Sequence, residues 1–145
     1  MKEKYNSLMA FDYGLRQIGV AVGNTLLGTT QPLKVLAARD GVPNWEELEK
    51  LVTEWQPQLL IVGDPLNMDG TESELCLRAR KFSRRLHGRL GLPIEMMDER
   101  LTSFEAKQLA KEEGHQGDYT AEPIDSLAAQ LILESWFNRQ NSSEP

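Results

Sequence analysis

Apolar residues recur along this chain in two rhythms, and each change of rhythm marks a new element. Leu8–Asp12 and Ile18–Gly23 are short apolar runs separated by Gly14, Leu15, Arg16 and Gln17, the pattern of two strands joined by a tight turn. A third extended piece is expected near Thr30–Ala38. From Asn44 the spacing lengthens. Leu48, Leu51, Val52 and Trp55 fall on one helical face, Asn44 and Glu47 have capping-box spacing, and Pro57 ends the helix. "LLIVGDP", Leu59 to Pro65, returns to an unbroken apolar run bounded by Gly and Pro, as in a strand covered on both faces.

The second half continues the alternation. Thr71 and Glu74 suggest another capping box, followed by Leu75, Ala79, Phe82 and Leu86 on one helical face, with Gly88 as the expected stop. "LPIEMMD", Leu92 to Asp98, reads as a further strand, and Thr102 with Glu105 opens a third helix through Lys111. Gly114–Thr120 is polar and glycine-rich, as in a mobile loop. Pro123 suits the first turn of a last helix whose apolar face is Ile124, Leu127, Ala128, Leu131 and Ile132. This order predicts an α/β fold with a mixed five-stranded sheet: an opening antiparallel meander, then βαβ units, with helices on both faces. It matches the ribonuclease H-like fold. One domain over residues 1–145 is expected, with flexible tails at 1–7 and 138–145.

Composition narrows the function classes. The single cysteine, Cys76, excludes an internal disulfide, and the start "MKEKYNS" lacks the apolar core of a signal peptide. No apolar run approaches the ~18 residues of a membrane span, so a soluble, cytoplasmic protein without a membrane partner is expected. A net charge of −6 taken alone disfavours a nucleic-acid partner. Its distribution reverses that reading. Arg78, Arg80, Lys81, Arg84, Arg85 and Arg89 lie between Leu75 and Leu92 with no acid among them, so this segment carries +6 and leaves −12 on the rest.

Against this background the acids stand out. Asp12 ends an apolar strand, where an unpaired carboxylate costs several kcal/mol of desolvation unless it holds a partner or a metal. Asp98 and Glu99 sit where another strand runs out, and Asp125 lies in the first turn of the last helix. Ligands of open α/β sheets gather beyond the carboxyl ends of parallel strands, so these acids can share one cleft. Carboxylates suit Mg²⁺ or Mn²⁺, and a pair of such ions about 4 Å apart suits phosphodiester hydrolysis. Each residue also has a plain structural account. Asp12 can cap a turn, Asp98 and Glu99 can begin one, and Asp125 can meet the helix dipole. Arg100 can hold a phosphate or pair with a neighbouring acid, Arg16 can be a solvated charge, and the basic helix a solvated face. His87 and His115 lack metal-ligand spacing, and Cys76 suits packing.

Four segments, "FDYGLRQIGVAVG", "IVGDPLNMDGTE", "DERLTSFEA" and "IDSLAAQLILESWF", resemble in order and spacing the YqgF family, also called RuvX, of pre-16S rRNA nucleases and resolvase-like proteins. The resemblance runs from about Leu8 to Phe137. It implies a ribonuclease H-like fold and a metal-dependent nuclease that matures the 5′ end of pre-16S ribosomal RNA. It also implies an acidic site at Asp12, Glu99 and Asp125, with Mg²⁺ or Mn²⁺ as cofactor. Whether Asp98 or Glu99 faces the metal stays open, since adjacent strand residues point to opposite faces. Two positions depart from the family pattern: Asp64 replaces an apolar residue, and Leu15-Arg16 follow Gly14. Asp64 is expected to add to the metal site or its surroundings. Arg100, Arg16, Arg78 and Arg85 are expected to steady the substrate backbone.

Two further functions compete. One is a resolvase of branched DNA, for which a two-fold dimer is expected because a four-way junction needs paired cuts; between monomer and homodimer the sequence leaves the choice open, and the partners expected are pre-16S rRNA or branched DNA, with ribosomal precursor particles. The other is a nucleotide-binding or non-catalytic nucleic-acid-binding module, because "DYGLRQIGVA" also resembles the phosphate loop of actin-like ATPases. Those bind ATP between two duplicated domains, and this chain has room for one.

Overall fold

In the computed structural model the described residues are 5–65, 69–98 and 124–142, with side chains of the last helix described for 127–138. The central strand is β1 (Ser7–Asp12), whose Leu8, Met9, Ala10 and Phe11 are fully buried because layers pack on both sides of it. It pairs antiparallel with β2 (Gln17–Asn24), which pairs antiparallel with β3 (Thr29–Arg39), and this in turn with β4 (Val42–Pro43). On its other side β1 pairs parallel with β5 (Leu59–Asp64), and β5 with β6 (Ile94–Asp98). The sheet order is β4-β3-β2-β1-β5-β6. The expected meander and parallel half are present. The sheet has six strands rather than five, because a two-residue strand too short to carry any periodicity closes its edge.

Alternation along the strands sorts the core into two layers. Met9, Phe11, Val20, Leu60 and Val62 face α1 (Trp45–Trp55) and α2 (Glu74–Leu90). Leu8, Ala10, Ala21, Leu59, Ile61 and Met97 face α3 (Ile124–Ser142). Each large apolar side chain fully buried in these layers contributes about 1.5–3 kcal/mol. The buried face of α3 is Ala128, Ala129, Ile132, Leu133 and Trp136, with Leu127 and Leu131 half-buried at its margin.

Local chemistry sets the helix ends. Asn44 caps α1 by accepting from the Glu47 N–H at 3.1 Å, as its spacing predicts. For α2 the cap is Ser73, which accepts from the Cys76 N–H at 2.9 Å, not Thr71. Thr71 is occupied two residues back, with its N–H and hydroxyl on Asp69 Oδ1 at 3.0 and 2.6 Å. Nor does Gly88 stop this helix; it continues to Leu90 and ends at Gly91, whose φ of 69° gives the left-handed cap and points its N–H at His87 O. The Asn6 N–H donates to Gln58 Oε1, the Thr25 hydroxyl to Tyr5 O, and α3 stays helical through Ser142. The helix expected at Thr102–Lys111, the loop at Gly114–Thr120, and Pro123 lie outside the described residues.

Candidate functional site

Asp12 stands at the carboxyl end of β1 and, counting by twos from Leu8 and Ala10, on the α3 face of the sheet. It is only 9% exposed. Gly19 lies directly across from it in β2 and adds no side chain to that face. Further along β2, Gly23 is the close-approach point for α3: a Cβ there would stand 3.3 Å from Phe137 Cζ and 3.4 Å from Leu133 Cδ1. Gly23 pairs with Leu8, where β1 begins. The structure places α3, which holds Asp125 in its first turn, on the same face of the sheet as Asp12. The Asp125 side chain, Glu99, Arg100 and His115 lie outside the described residues.

Asp64 ends the neighbouring strand but faces the other way. It shares its face with Leu60 and Val62, under α2, and is 8% exposed. Its Oδ1 accepts from Arg80 Nε at 3.2 Å and from the Cys76 thiol at 3.0 Å, and its Oδ2 from Arg80 Nη2 at 2.9 Å. Arg80 Nη1 also donates to Glu72 Oε2 at 2.6 Å. These two carboxylates hold the guanidinium even more firmly protonated than usual. Burial, and then the hydrogen bond to Asp64, pushes the Cys76 thiol above its ordinary range, so it stays protonated. The expectation that Asp64 joins the Asp12 site is therefore corrected: both its oxygens are held by α2 on the opposite face. Asp98 pairs in register with Asp64 and shares that face, with its side chain exposed. Asp98 thus does not lie on the Asp12 face.

The basic segment is not a uniform solvated face. Arg80 is committed to Asp64, and Arg89 donates to Glu49 Oε2 at 3.1 Å while lying over the Trp45 ring at 4.6 Å from its centroid. His87 packs its Nδ1 against Leu92 O at 2.9 Å. Arg78, Lys81, Phe82 and Arg85 form one helical stripe that, with Tyr13, Asp40 and Gly41, lines a cleft of about 180 Å³. Arg78 Nη1 meets Asp40 Oδ1 at 3.1 Å. Among the described residues Lys81, Arg84 and Arg85 have no ion-pair partner. Of the four expected substrate cations, Arg78 and Arg85 are brought together here, while Arg16 is exposed in the turn after β1.

Tyr13 and Asp40 were not singled out by sequence. Tyr13 follows Asp12 and so points to the α2 face, where its hydroxyl donates to Gly41 O at 3.0 Å. Burial raises its pKa, opposed by the nearby Arg78 guanidinium. Asp40 and Gly41 both take positive φ, 51° and 81°, in the β3–β4 turn, and a Cβ at Gly41 would collide with the Tyr13 hydroxyl. The available signal was "RDGVP", a turn sequence, but nothing local ties it to Tyr13.

Among the described residues no group of three or more His, Cys, Asp or Glu could hold a metal ion, and no helix is long and apolar enough to cross a membrane. Comparison with known proteins supplies the wider context. The family model described as "RuvX: Holliday junction resolvase" matches residues 6–139. A protein of Saccharophagus degradans named "Putative pre-16S rRNA nuclease" is 56% identical over 96% of this chain and 97% of its own length. One of the same name from Aeromonas salmonicida is 54% identical over 92% and 96%. Among solved structures, T. thermophilus RuvC in complex with a Holliday junction substrate has a TM-score of 0.53 at 14% identity, covering 94% of this chain and 97% of that one. Fowlpox virus resolvase in complex with junction DNA has a TM-score of 0.54 at 11% identity, covering 96% and 99%. These two likenesses establish the ribonuclease H-like fold of the resolvases. With a family match over nearly its whole length and relatives above 50% identity, the chain belongs to the RuvX family.

Proposed function

We propose that this protein is a metal-dependent nuclease that hydrolyses phosphodiester bonds in maturing the 5′ end of pre-16S ribosomal RNA. The observation that carries the reading is Asp12: a buried carboxylate at the end of the central strand, opposite a glycine, on the face covered by the helix that bears Asp125. The names of the close relatives supply the substrate.

The residues present fit a hard divalent cation, because carboxylate oxygens are the ligands Mg²⁺ and Mn²⁺ take, and Gly19, paired with Asp12, adds no side chain of its own beside it. Asp12, Glu99 and Asp125 would hold one or two such ions. We assign Glu99 rather than Asp98 because Asp98 lies on the α2 face. When bound, the ions supply an activated water and Lewis-acid stabilisation of the phosphate's developing charge. The chain's own contribution is to hold three negative groups at one strand end and to steady the substrate backbone through Arg16, Arg78, Arg85 and Arg100.

The test is to deplete the protein from cells and map 5′ ends of 16S precursors, with Asp12→Asn as the rescue. Precursor is expected to accumulate in both; normal 5′ ends in the Asp12→Asn rescue would sink the assignment. The family description supports a second reading, cleavage of four-way DNA junctions. Paired, symmetric cuts in a junction by purified protein, without action on the precursor, would favour it.

A further inference from the structure

The cleft on α2 has features the carboxylate site does not use. Arg78, Lys81 and Arg85 point into it from successive turns, and Lys81 and Arg85 are like charges four apart, an arrangement that weakens a helix unless an anion relieves it. The one carboxylate lining it, Asp40, is exposed at the rim and neutralises Arg78 alone. Two aromatic rings, Tyr13 and Phe82, line it with centroids 5.0 Å apart, yet both residues are buried, so neither offers an open face on which a base could stack. Its volume of about 180 Å³ is below that of pockets for whole drug-sized ligands.

We infer that this cleft is a phosphate-binding subsite, taking a backbone phosphate of the nucleic acid other than the one cleaved and reading no base sequence. It rests on the nuclease reading above for the identity of the polyanion. Tyr13 and Asp12 are consecutive residues on opposite faces of one strand end, so a single phosphate cannot touch both the cleft and the carboxylate. A strand crossing the sheet's carboxyl edge reaches both. Asp40 acts as the competitor that occupies Arg78 until a phosphate arrives.

The test is binding, not cleavage. Affinity of the full chain for single-stranded RNA of two unrelated sequences is measured in EDTA over a range of salt. Arg85→Gln is expected to weaken binding roughly three- to tenfold, by the same factor for both sequences, and to lower the salt slope by about 1. Arg84→Gln removes an equal charge from the same helix outside the cleft and is expected to change affinity less than about twofold. Asp40→Asn, which suits a left-handed backbone position, is expected to tighten binding. All three positions are exposed, so unchanged thermal unfolding checks the fold. Equal losses for Arg84→Gln and Arg85→Gln, a sequence-dependent loss, no loss at Arg85, or no binding by the unaltered chain would each overturn the subsite. If Arg85→Gln weakens binding as expected while the unaltered protein cleaves nothing with Mg²⁺ or Mn²⁺, the subsite stands and the nuclease reading falls.

Discussion

Asp12 and Asp64 end adjacent parallel strands, and both are buried to nearly the same degree, 9% and 8% exposed. They nonetheless belong to different layers. Phe11 pairs with Val62, so Asp64 is one step further along its strand than Asp12 is along its own, and one step in a pleat exchanges the faces. On the α2 face, Arg80 and Cys76 sit one helical turn apart and hold both carboxylate oxygens of Asp64. On the α3 face, Asp12 lies across from a glycine, in the layer covered by the helix that bears Asp125. Burial of an acid thus does not by itself mark a catalytic group; the layer it enters decides whether it braces the fold or faces a ligand.

The largest expected effect separates the two acids by function. Asp12→Asn keeps the side chain's shape and is expected to leave the melting temperature nearly unchanged while cleavage falls by orders of magnitude. Circular dichroism and a cleavage assay with Mn²⁺ or Mg²⁺ read the two quantities independently. A variant that unfolds, or one that still cleaves, would erase the distinction between the two carboxylates.

Asp64→Leu should do the reverse. It restores the apolar residue that the family pattern has here but strands the buried Cys76 thiol without its acceptor and leaves the half-buried Arg80 only its exposed partner Glu72. A loss of roughly 5–10 °C in melting temperature is expected, with cleavage by the folded protein retained. Adding Arg80→Leu should recover part of the loss, since removing both partners is milder than removing one. Lowered metal affinity in Asp64→Leu would return Asp64 to the metal site.

The sequence exposed the fold more fully than the site. Strand and helix positions follow from apolar periodicity, which is a local property, and both faces of the sheet were predictable from the run "LLIVGDP". Asp64 was misplaced because its face depends on the β1–β5 register, which no neighbouring residue encodes. Arg80 and Cys76, its actual partners, lie 16 and 12 residues away on another element. The same holds for the cleft. Six basic residues were visible as a block, but only packing reveals that Arg80 and Arg89 are neutralised while Arg85 and Lys81 are not. Thr71 and Gly88 were misread for a smaller reason: Ser73 and Gly91, each within three residues, satisfy the same capping chemistry.

A milder probe of the α2 face is alkaline pH. Cys76 and Tyr13 both have pKa values raised from ordinary values of 9.0 and 10.0, chiefly by burial. Their neutral forms are favoured by folding, so the stability they contribute is complete below pH 9.0 and is lost as pH rises through the raised folded values. The melting temperature should therefore fall by a few degrees on passing from pH 8 to above pH 10. In Asp64→Leu the Cys76 part of that fall should shrink, because the hydrogen bond and charge of Asp64 are among the causes of the raised value.

The smallest expected effects come from two added methyl groups, one for each face. At Gly88, inside α2, a Cβ meets nothing within 4 Å, so Gly88→Ala should gain up to about 1 kcal/mol from helix propensity and leave cleavage unchanged. At Gly23 the new Cβ is 3.3 Å from Phe137 Cζ and 3.4 Å from Leu133 Cδ1, far ends of side chains that can yield by a few tenths of an ångström, and 3.4 Å from the Thr29 carbonyl oxygen, which is ordinary van der Waals contact. Stability should then change by less than about 1 kcal/mol, because the reduced freedom of the unfolded chain offsets the crowding. The shift is passed to α3, and with it to the turn that bears Asp125. A few-fold drop in cleavage at nearly constant stability is the expected reading for Gly23→Ala. If instead both alanines leave cleavage untouched, the position of α3 does not govern the chemistry, and the contrast between the two faces reduces to Asp12 alone.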